Sequence, residues 1–153
     1  MTPDENILSQ EDDVLSRAIG VALNAHAKQY RHDGVTPYFH HLRDVASRVG
    51  DDIELQAIAW LHDVLEDGPD FTADTLRQRG MPEHLIDAVI ALTRQKNESY
   101  DDFIHRVKKN TMAHKVKVAD ILSNLSDSPT PKQIVKYAKA LLILFDDSLL
   151  TYG

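Results

Sequence analysis

The 153-residue sequence contains no cysteine, which excludes disulfide frameworks, zinc sites built from thiolates and cysteine nucleophiles. No apolar run is long enough to span a bilayer, and the acidic N-terminus lacks the apolar core of a secretory signal. Basic residues are outnumbered, since 17 Lys and Arg stand against 24 Asp and Glu, and the net charge of -7 argues against a nucleic-acid polymer as partner. We therefore expect a single cytoplasmic domain, 1–153, in which residues 1–10 are free to form a flexible tail.

Apolar residues recur at helical spacing along most of the chain, and no segment shows the alternation typical of a strand. This pattern predicts an all-α domain of about eight helices. Their expected ranges are 11–30, 40–49, 53–66, 73–79, 82–93, 99–109, 113–125 and 130–145. The segment 53–66 is apolar nearly all round, so we expect this helix to be central and buried, with Asp52 as its N-cap.

Histidine is frequent, with eight residues, and several histidines stand beside carboxylates. On a helix, His62 and Glu66 share one stripe, while Asp63 and Asp67 share the adjacent one. Four groups able to bind a metal thus cluster at the end of an apolar helix, where burying ionised carboxylates without partners is costly. A bound cation compensates for that cost. The ordinary alternative is a helix end that frays into solvent.

Two further segments carry candidate ligands. His40 and His41 open one predicted helix, and Asp120 and Asn124 share a stripe of another that is otherwise rich in apolar residues. An aspartate in such surroundings needs a partner, which is either Lys117 in an ion pair or a metal. Two imidazoles and two carboxylates together suit a first-row divalent ion such as Mn²⁺, Fe²⁺ or Zn²⁺.

The order of these residues along the chain, H…HD…D, resembles the signature of HD-domain metal-dependent phosphohydrolases. Within that group, the chain is similar to the hydrolase domain of the RelA/SpoT alarmone enzymes and to the small stand-alone alarmone hydrolases. The similarity is carried by four segments: AHAKQYRHDGVTPYFHH, LHDVLEDGPDFT, IALTRQK and KVKVADILSNL. It implies an HD-domain helical bundle that uses a divalent metal, Mn²⁺ first, to release pyrophosphate from the 3′ position of (p)ppGpp.

The resemblance also assigns roles to individual residues. The implied metal ligands are His41, His62, Asp63 and Asp120. The pair that positions or activates the hydrolytic water in the family is matched by Glu66 and Asp67. The polar groups near the nucleotide are matched by Arg31, Lys117 and Asn124.

Three positions depart from the family pattern, namely Leu42, Ile121 and Asp127. They touch the substrate side more than the metal side, so another nucleotide or a small phosphoester is an alternative substrate. A non-catalytic nucleotide-binding module is an alternative of a different class, against which the joint presence of Glu66 and Asp67 speaks. We expect a small phosphorylated nucleotide as partner and no membrane, and a homo-oligomer is left open.

Overall fold

The computed structural model describes the backbone of residues 3–145 and the side chains of residues 13–145. Over this range the regular elements are all helical, which confirms the predicted all-α class. The helices are α1 (Pro3–Ala25), α2 (Phe39–Arg48), α3 (Ile53–Leu61), α4 (Val64–Asp67), α5 (Ala73–Gln78), α6 (Glu83–Ala91), α7 (Tyr100–Lys108), α8 (Thr111–Leu125) and α9 (Pro131–Leu144). Within residues 3–145, no helix has both the length and the apolar character needed to cross a bilayer.

Helix α3 occupies the centre, as its apolar sequence predicts. It packs against α1, α2, α6 and α8, and six of its nine residues are buried. Asp52 is the N-cap, since its carboxylate accepts a hydrogen bond from the Leu55 N–H. Because α3 contacts so many neighbours, the residues at its C-terminal end face side chains from several other elements.

The prediction of one unbroken helix over 53–66 is wrong, and this break raises the helix count to nine in the described chain. Helix α3 ends at Leu61, and the short α4 begins at Val64. The cause is local: His62 Nδ1 lies 2.6 Å from the Ala59 carbonyl oxygen, the group that would accept from the Asp63 N–H in a continuous helix. A side chain that competes for a backbone acceptor in this way interrupts the helix.

Helix α1 also differs from its predicted range. It begins at Pro3, so residues 3–10, expected as a flexible tail, form its first turns, and it ends at Ala25 rather than near residue 30. The five residues after Ala25 instead start the loop that connects α1 to α2.

The α1–α2 loop closes on itself through backbone hydrogen bonds. The Arg31 N–H donates to the Thr36 carbonyl at 2.8 Å, and the Tyr38 N–H donates to the Gln29 carbonyl at 3.0 Å. The Asp33 carboxylate accepts from the Thr36 N–H at 2.9 Å, inside the turn. The loop is therefore a fixed structure that brings residues 26–38 against the end of α3.

The turn after α4 requires a glycine because the backbone there is crowded. A Cβ atom on Gly68 would lie 2.8 Å from the Val64 carbonyl oxygen, 3.0 Å from Ala25 Cβ and 3.1 Å from the Phe71 ring. These approaches are too short for a side chain, so Gly68 allows α4 to pack closely against the end of α1.

Burial at the centre of α3 predicts a large stability difference between two isoleucines. Ile58 is fully buried, whereas Ile90 on α6 is 39% exposed. We expect Ile58→Ala to lower the free energy of unfolding by about 2–5 kcal/mol, because it leaves a cavity in the core. The matched variant Ile90→Ala is expected to cost less than about 1 kcal/mol. Urea unfolding followed by circular dichroism measures both, and equal losses would contradict the central position of α3.

Candidate metal centre

The predicted ligands from three segments meet at the C-terminal end of α3. One donor atom each from His41, His62 and Asp63 lies within 4.8 Å of the other two. The fourth predicted ligand adjoins them, since Asp120 Oδ1 is 2.8 Å from His41 Nε2 and 3.4 Å from His62 Nε2. His41, His62 and Asp120 are buried, and the Asp63 side chain is 17% exposed. The helix end at His62 is thus packed and does not fray into solvent.

His62 has one nitrogen with a fixed partner and one without. Nδ1 lies 2.6 Å from the Ala59 carbonyl oxygen, which can only accept, so Nδ1 carries a proton and donates it. Nε2 is then left with its lone pair when the ring is neutral. It is buried, lies 3.1 Å from Asp63 Oδ2 and 3.4 Å from Asp120 Oδ1, and forms no hydrogen bond within the described side chains. Two carboxylate oxygens facing this nitrogen favour a positive charge between them, which a proton on Nε2 supplies without metal and a divalent cation would supply in its place.

The spacing of these atoms fits a divalent ion. Nitrogen and oxygen ligands bound at about 2.1 Å lie roughly 3.0–3.4 Å apart in octahedral or tetrahedral geometry. Two separations around His62 Nε2, 3.1 and 3.4 Å, lie in this range, and that between His41 Nε2 and Asp120 Oδ1 is slightly shorter, at the hydrogen-bond distance of 2.8 Å. Two imidazoles with carboxylates also form a donor set typical of first-row divalent ions. The residues present therefore fit the metal that the sequence implies.

The charges at the centre are strongly coupled. Burial disfavours the charged forms of His62, Asp63 and Asp120, but their attraction for one another outweighs burial. Asp63 and Asp120 hold the pKa of His62 well above its usual range, and His62 lowers the pKa of Asp63 to about 2. The Lys117 ammonium and then His62 hold the pKa of Asp120 well below its usual range. Both carboxylates are consequently ionised at neutral pH and available to a cation.

His41 is oriented by a chain of hydrogen bonds on its far side. Its Nδ1 lies 3.1 Å from Ser123 Oγ. Burial opposes the shift, but hydrogen bonds from Ser123 and Arg48 lower the pKa of the Asp44 carboxyl. Ser123 Oγ is thus the partner of one ring nitrogen, and the other, Nε2, lies 2.8 Å from Asp120 Oδ1, where a bound ion would take the place of the shared proton. Such outer partners fix the tautomer of metal-binding histidines.

Lys117 and Asn124, which the resemblance places near the nucleotide, both form hydrogen bonds with Asp120. Lys117 Nζ donates to Asp120 Oδ2 at 2.9 Å, which is the ion pair that the sequence leaves open as the ordinary alternative. Asn124 Nδ2 donates to Asp120 Oδ1 at 3.3 Å. The third such residue, Arg31, donates to Asn124 Oδ1 at 3.3 Å and to the Asp127 carboxylate at 3.1 Å. Lys117 and Asn124 thus contact Asp120 directly, and Arg31 is linked to it through Asn124.

Glu66 and Asp67 lie on α4, next to the centre and more exposed than its ligands. Glu66 Oε1 accepts a hydrogen bond from the Arg94 N–H at 2.7 Å, and Asp67 Oδ2 accepts from Gln29 Nε2 at 3.2 Å. Partial burial, followed by the nearby carboxylates of Asp63 and Asp67, raises the pKa of Glu66. A carboxylate with a raised pKa is a stronger proton acceptor than an ordinary glutamate.

Several residues at the centre were not identified from the sequence as site residues. The Tyr38 hydroxyl donates to Asp63 Oδ2, and the buried His26 ring packs on Tyr38 with its centroid at 4.8 Å. On the opposite side, Lys136 Nζ lies 4.3 Å from the Tyr100 ring centroid and Arg94 Cζ lies 5.9 Å from it. The only sequence signal for these residues is that His26, Tyr38 and Arg94 fall inside the segments that carry the family resemblance.

A pocket of about 260 Å³ opens beside His41. Its lining is rich in carboxylates and hydroxyls: Arg31, Thr36, His40, His41, Asp44, Ser123, Ser126 and Asp127. The single arginine of this lining is paired with Asp127. The pocket therefore offers hydrogen-bond acceptors next to the metal centre.

No family model and no curated protein matches the sequence. Solved structures do match, and one of them is a metazoan ortholog of SpoT that hydrolyses ppGpp and plays a role in starvation responses. It is 24% identical, the alignment covers 86% of this chain and 85% of that chain, and the TM-score is 0.73. This chain has the fold of the SpoT ortholog. The resemblance to the RelA/SpoT hydrolase domain is thereby confirmed at the level of the fold.

The arrangement around His62 Nε2 predicts that a divalent ion stabilises the protein. Because the ion binds the folded centre only, Mn²⁺ at 100 times its dissociation constant adds about 2.7 kcal/mol to the free energy of unfolding. We expect the melting temperature of chelator-treated protein to rise by roughly 5–10 °C on that addition. Differential scanning fluorimetry measures the shift.

His84→Ala is the matched control for His62→Ala, because His84 pairs with Glu54 on the surface, far from the ligands in sequence. The His62 variant is expected to lose the shift, and the His84 variant to keep it. A shift of equal size in both variants would place the bound ion elsewhere.

Proposed function

We propose that this protein is a metal-dependent phosphohydrolase that releases pyrophosphate from the 3′ position of guanosine 3′,5′-bis(diphosphate), with Mn²⁺ as its ion. The observation that carries the proposal is the buried Nε2 of His62, which has no hydrogen bond and faces two ionised carboxylates. The choice of substrate is supported by the fold, which matches that of a SpoT ortholog that hydrolyses ppGpp.

The ion would be held by His41, His62, Asp63 and Asp120. A divalent ion in such a site makes water more acidic and polarises a phosphoryl oxygen. The reaction breaks the bond between the ribose 3′-oxygen and phosphorus and forms one between the water oxygen and the same phosphorus. One proton of the water must be removed, and the leaving 3′-oxygen must gain one.

Glu66 is the better placed of the two acidic residues on α4 to accept the proton of water. The pKa of Glu66 is raised, and Glu66 follows the proposed ligands His62 and Asp63 in the sequence by four and three residues. The Arg94 N–H holds one of its oxygens at 2.7 Å and leaves the other free. Asp67, held by Gln29, would serve the leaving oxygen. Proton transfer by positioned carboxylates of this kind contributes about 10²–10⁴-fold to a rate.

The phosphates would bind on the α7–α9 side of the centre. Lys136 lies near the Lys117 and Arg94 cations. Burial and then the charges of these two residues lower the pKa of Lys136. Within the described side chains, Lys136 and Arg94 pair with no carboxylate, and the buried Tyr100 hydroxyl has no hydrogen-bond partner. Positive groups without a carboxylate partner and a phenol without a hydrogen bond are suited to phosphate oxygens.

The nucleobase would then lie in the pocket of about 260 Å³ beside His41. The Asp127 carboxylate could accept from the N–H donors of a purine. The same residue favours a second candidate, hydrolysis of a different nucleotide, because Asp127 pairs with Arg31 at 3.1 Å at a position that is often threonine in the resembled alarmone enzymes. An arginine paired in this way is less available to a substrate phosphate.

The proposal predicts Mn²⁺-dependent release of pyrophosphate from guanosine 3′,5′-bis(diphosphate) by chelator-treated protein. His62→Ala is expected to lower kcat at least about 100-fold, since it removes a ligand that no neighbour replaces. A coupled pyrophosphate assay over a panel of nucleotides measures this activity. Turnover of another nucleotide would support the second candidate. Mn²⁺ binding without turnover of any nucleotide would overturn the hydrolase and favour a binding module.

The assignment of the phosphates to the α7–α9 side predicts that Lys136→Ala raises KM about tenfold with little change in kcat, because a lost charge-assisted contact is worth roughly 1.5 kcal/mol. Lys139→Ala is the matched control, since Lys139 is exposed on the same helix. Steady-state kinetics with the bis(diphosphate) substrate separate the two constants. An unchanged KM in the Lys136 variant would contradict this placement.

A further inference from the structure

Tyr38 is the one residue of the α1–α2 loop, among the described side chains, that hydrogen-bonds a predicted metal ligand. Its hydroxyl donates to Asp63 Oδ2, the same oxygen that lies 3.1 Å from His62 Nε2. A phenol has an ordinary pKa near 10, so at neutral pH the hydroxyl has a proton to donate. The contact therefore acts on the oxygen that would meet the ion.

Asp63 needs such a contact because of its position in the backbone. It stands at the break between α3 and α4, with φ -106° and ψ 0°, outside regular helix. Its carboxylate and that of Asp120 both face His62 Nε2, at 3.1 and 3.4 Å, and two like charges around one buried position repel each other. Without the Tyr38 hydroxyl on Oδ2, the Asp63 carboxylate would be free to rotate this oxygen away from His62 Nε2 and from the position of the ion.

Tyr38 is itself held in place from several directions. Its backbone N–H donates to the Gln29 carbonyl at 3.0 Å. Its ring lies between two imidazoles, with ring centroids 4.8 Å from His26 and 5.7 Å from His41. His26 is anchored in turn, since its Nδ1 lies 2.6 Å from Gln29 Oε1. A donor fixed this firmly can impose one orientation on the carboxylate it contacts.

We infer that Tyr38 is a positioning residue, which holds the Asp63 carboxylate in the orientation that binds the divalent ion. The inference rests on the metal site of the proposed function and adds to it a residue that contacts neither substrate nor ion. Loss of an outer hydrogen bond of this kind typically costs roughly 10–100-fold in metal affinity or activity.

The test compares Tyr38→Phe with the wild-type chain for binding of Mn²⁺ alone. Phenylalanine keeps the ring between the two imidazoles and removes only the hydroxyl, so the fold is retained. Electron paramagnetic resonance of free Mn²⁺ in a titration gives the dissociation constant without any substrate. We expect the constant to rise roughly 10–100-fold. We also expect the Mn²⁺ concentration at half-maximal activity to rise by the same factor, while the rate at saturating Mn²⁺ falls less.

Tyr30→Phe is the matched control, because Tyr30 lies in the same loop but is 55% exposed. Its affinity for Mn²⁺ is expected to equal that of the wild type. Equal affinity in the Tyr38 variant would overturn the positioning role and leave the proposed hydrolase intact. A wild-type chain that binds no Mn²⁺ would overturn both, whereas Mn²⁺ binding without turnover would affect the proposed function alone.

Discussion

The hydrogen bond from His62 Nδ1 to the Ala59 carbonyl decides both the backbone and the chemistry at the end of α3. It takes the acceptor that the next turn of helix would use, so α3 ends at Leu61 and Asp63 leaves the helical path. It also assigns the only ring proton of a neutral His62 to Nδ1. The lone pair of Nε2 is then directed at two carboxylate oxygens in a buried site, where a cation is the favourable partner.

Each residue around that position has a second partner, and these partners come from different parts of the chain. Tyr38 in the α1–α2 loop holds Asp63, Ser123 on α8 adjoins the far nitrogen of His41, and Lys117 on α8 holds Asp120. The central helix makes this convergence possible, since α1, α2 and α8 all pack against it. The bundle therefore fixes the orientation of the ligands before any ion binds, which reduces the ordering that binding requires.

The sequence predicts those parts of the molecule that depend on local pattern. The helical period locates α3 and its burial. The order of His41, His62, Asp63 and Asp120 indicates residues that the structure brings close to one another, with Asp120 in contact with the two histidines. The break in the helix after Leu61 cannot be predicted from the sequence pattern, because it depends on a side-chain contact that only the folded backbone defines. The sequence pattern also does not predict the contacts of Tyr38, Lys136 and Arg31, since each contact joins segments that are distant in the chain. Periodicity carries no information about which helices become neighbours.

The net charge of -7 raises the question of how an acidic chain would hold a substrate with several phosphates. Some of the cationic side chains near the centre form ion pairs with carboxylates, and others do not. Lys117 is paired with Asp120 and Arg31 with Asp127, so their charges are largely neutralised by the protein itself. Lys136 and Arg94 contact the Tyr100 ring and, within the described side chains, pair with no carboxylate. The unpaired positive charge near the site therefore lies on the α7–α9 side, whereas the lining of the pocket beside His41 is rich in carboxylate and hydroxyl oxygens. For the proposed function, this asymmetry would give the nucleotide one preferred direction across the site, with the ester bond next to Glu66.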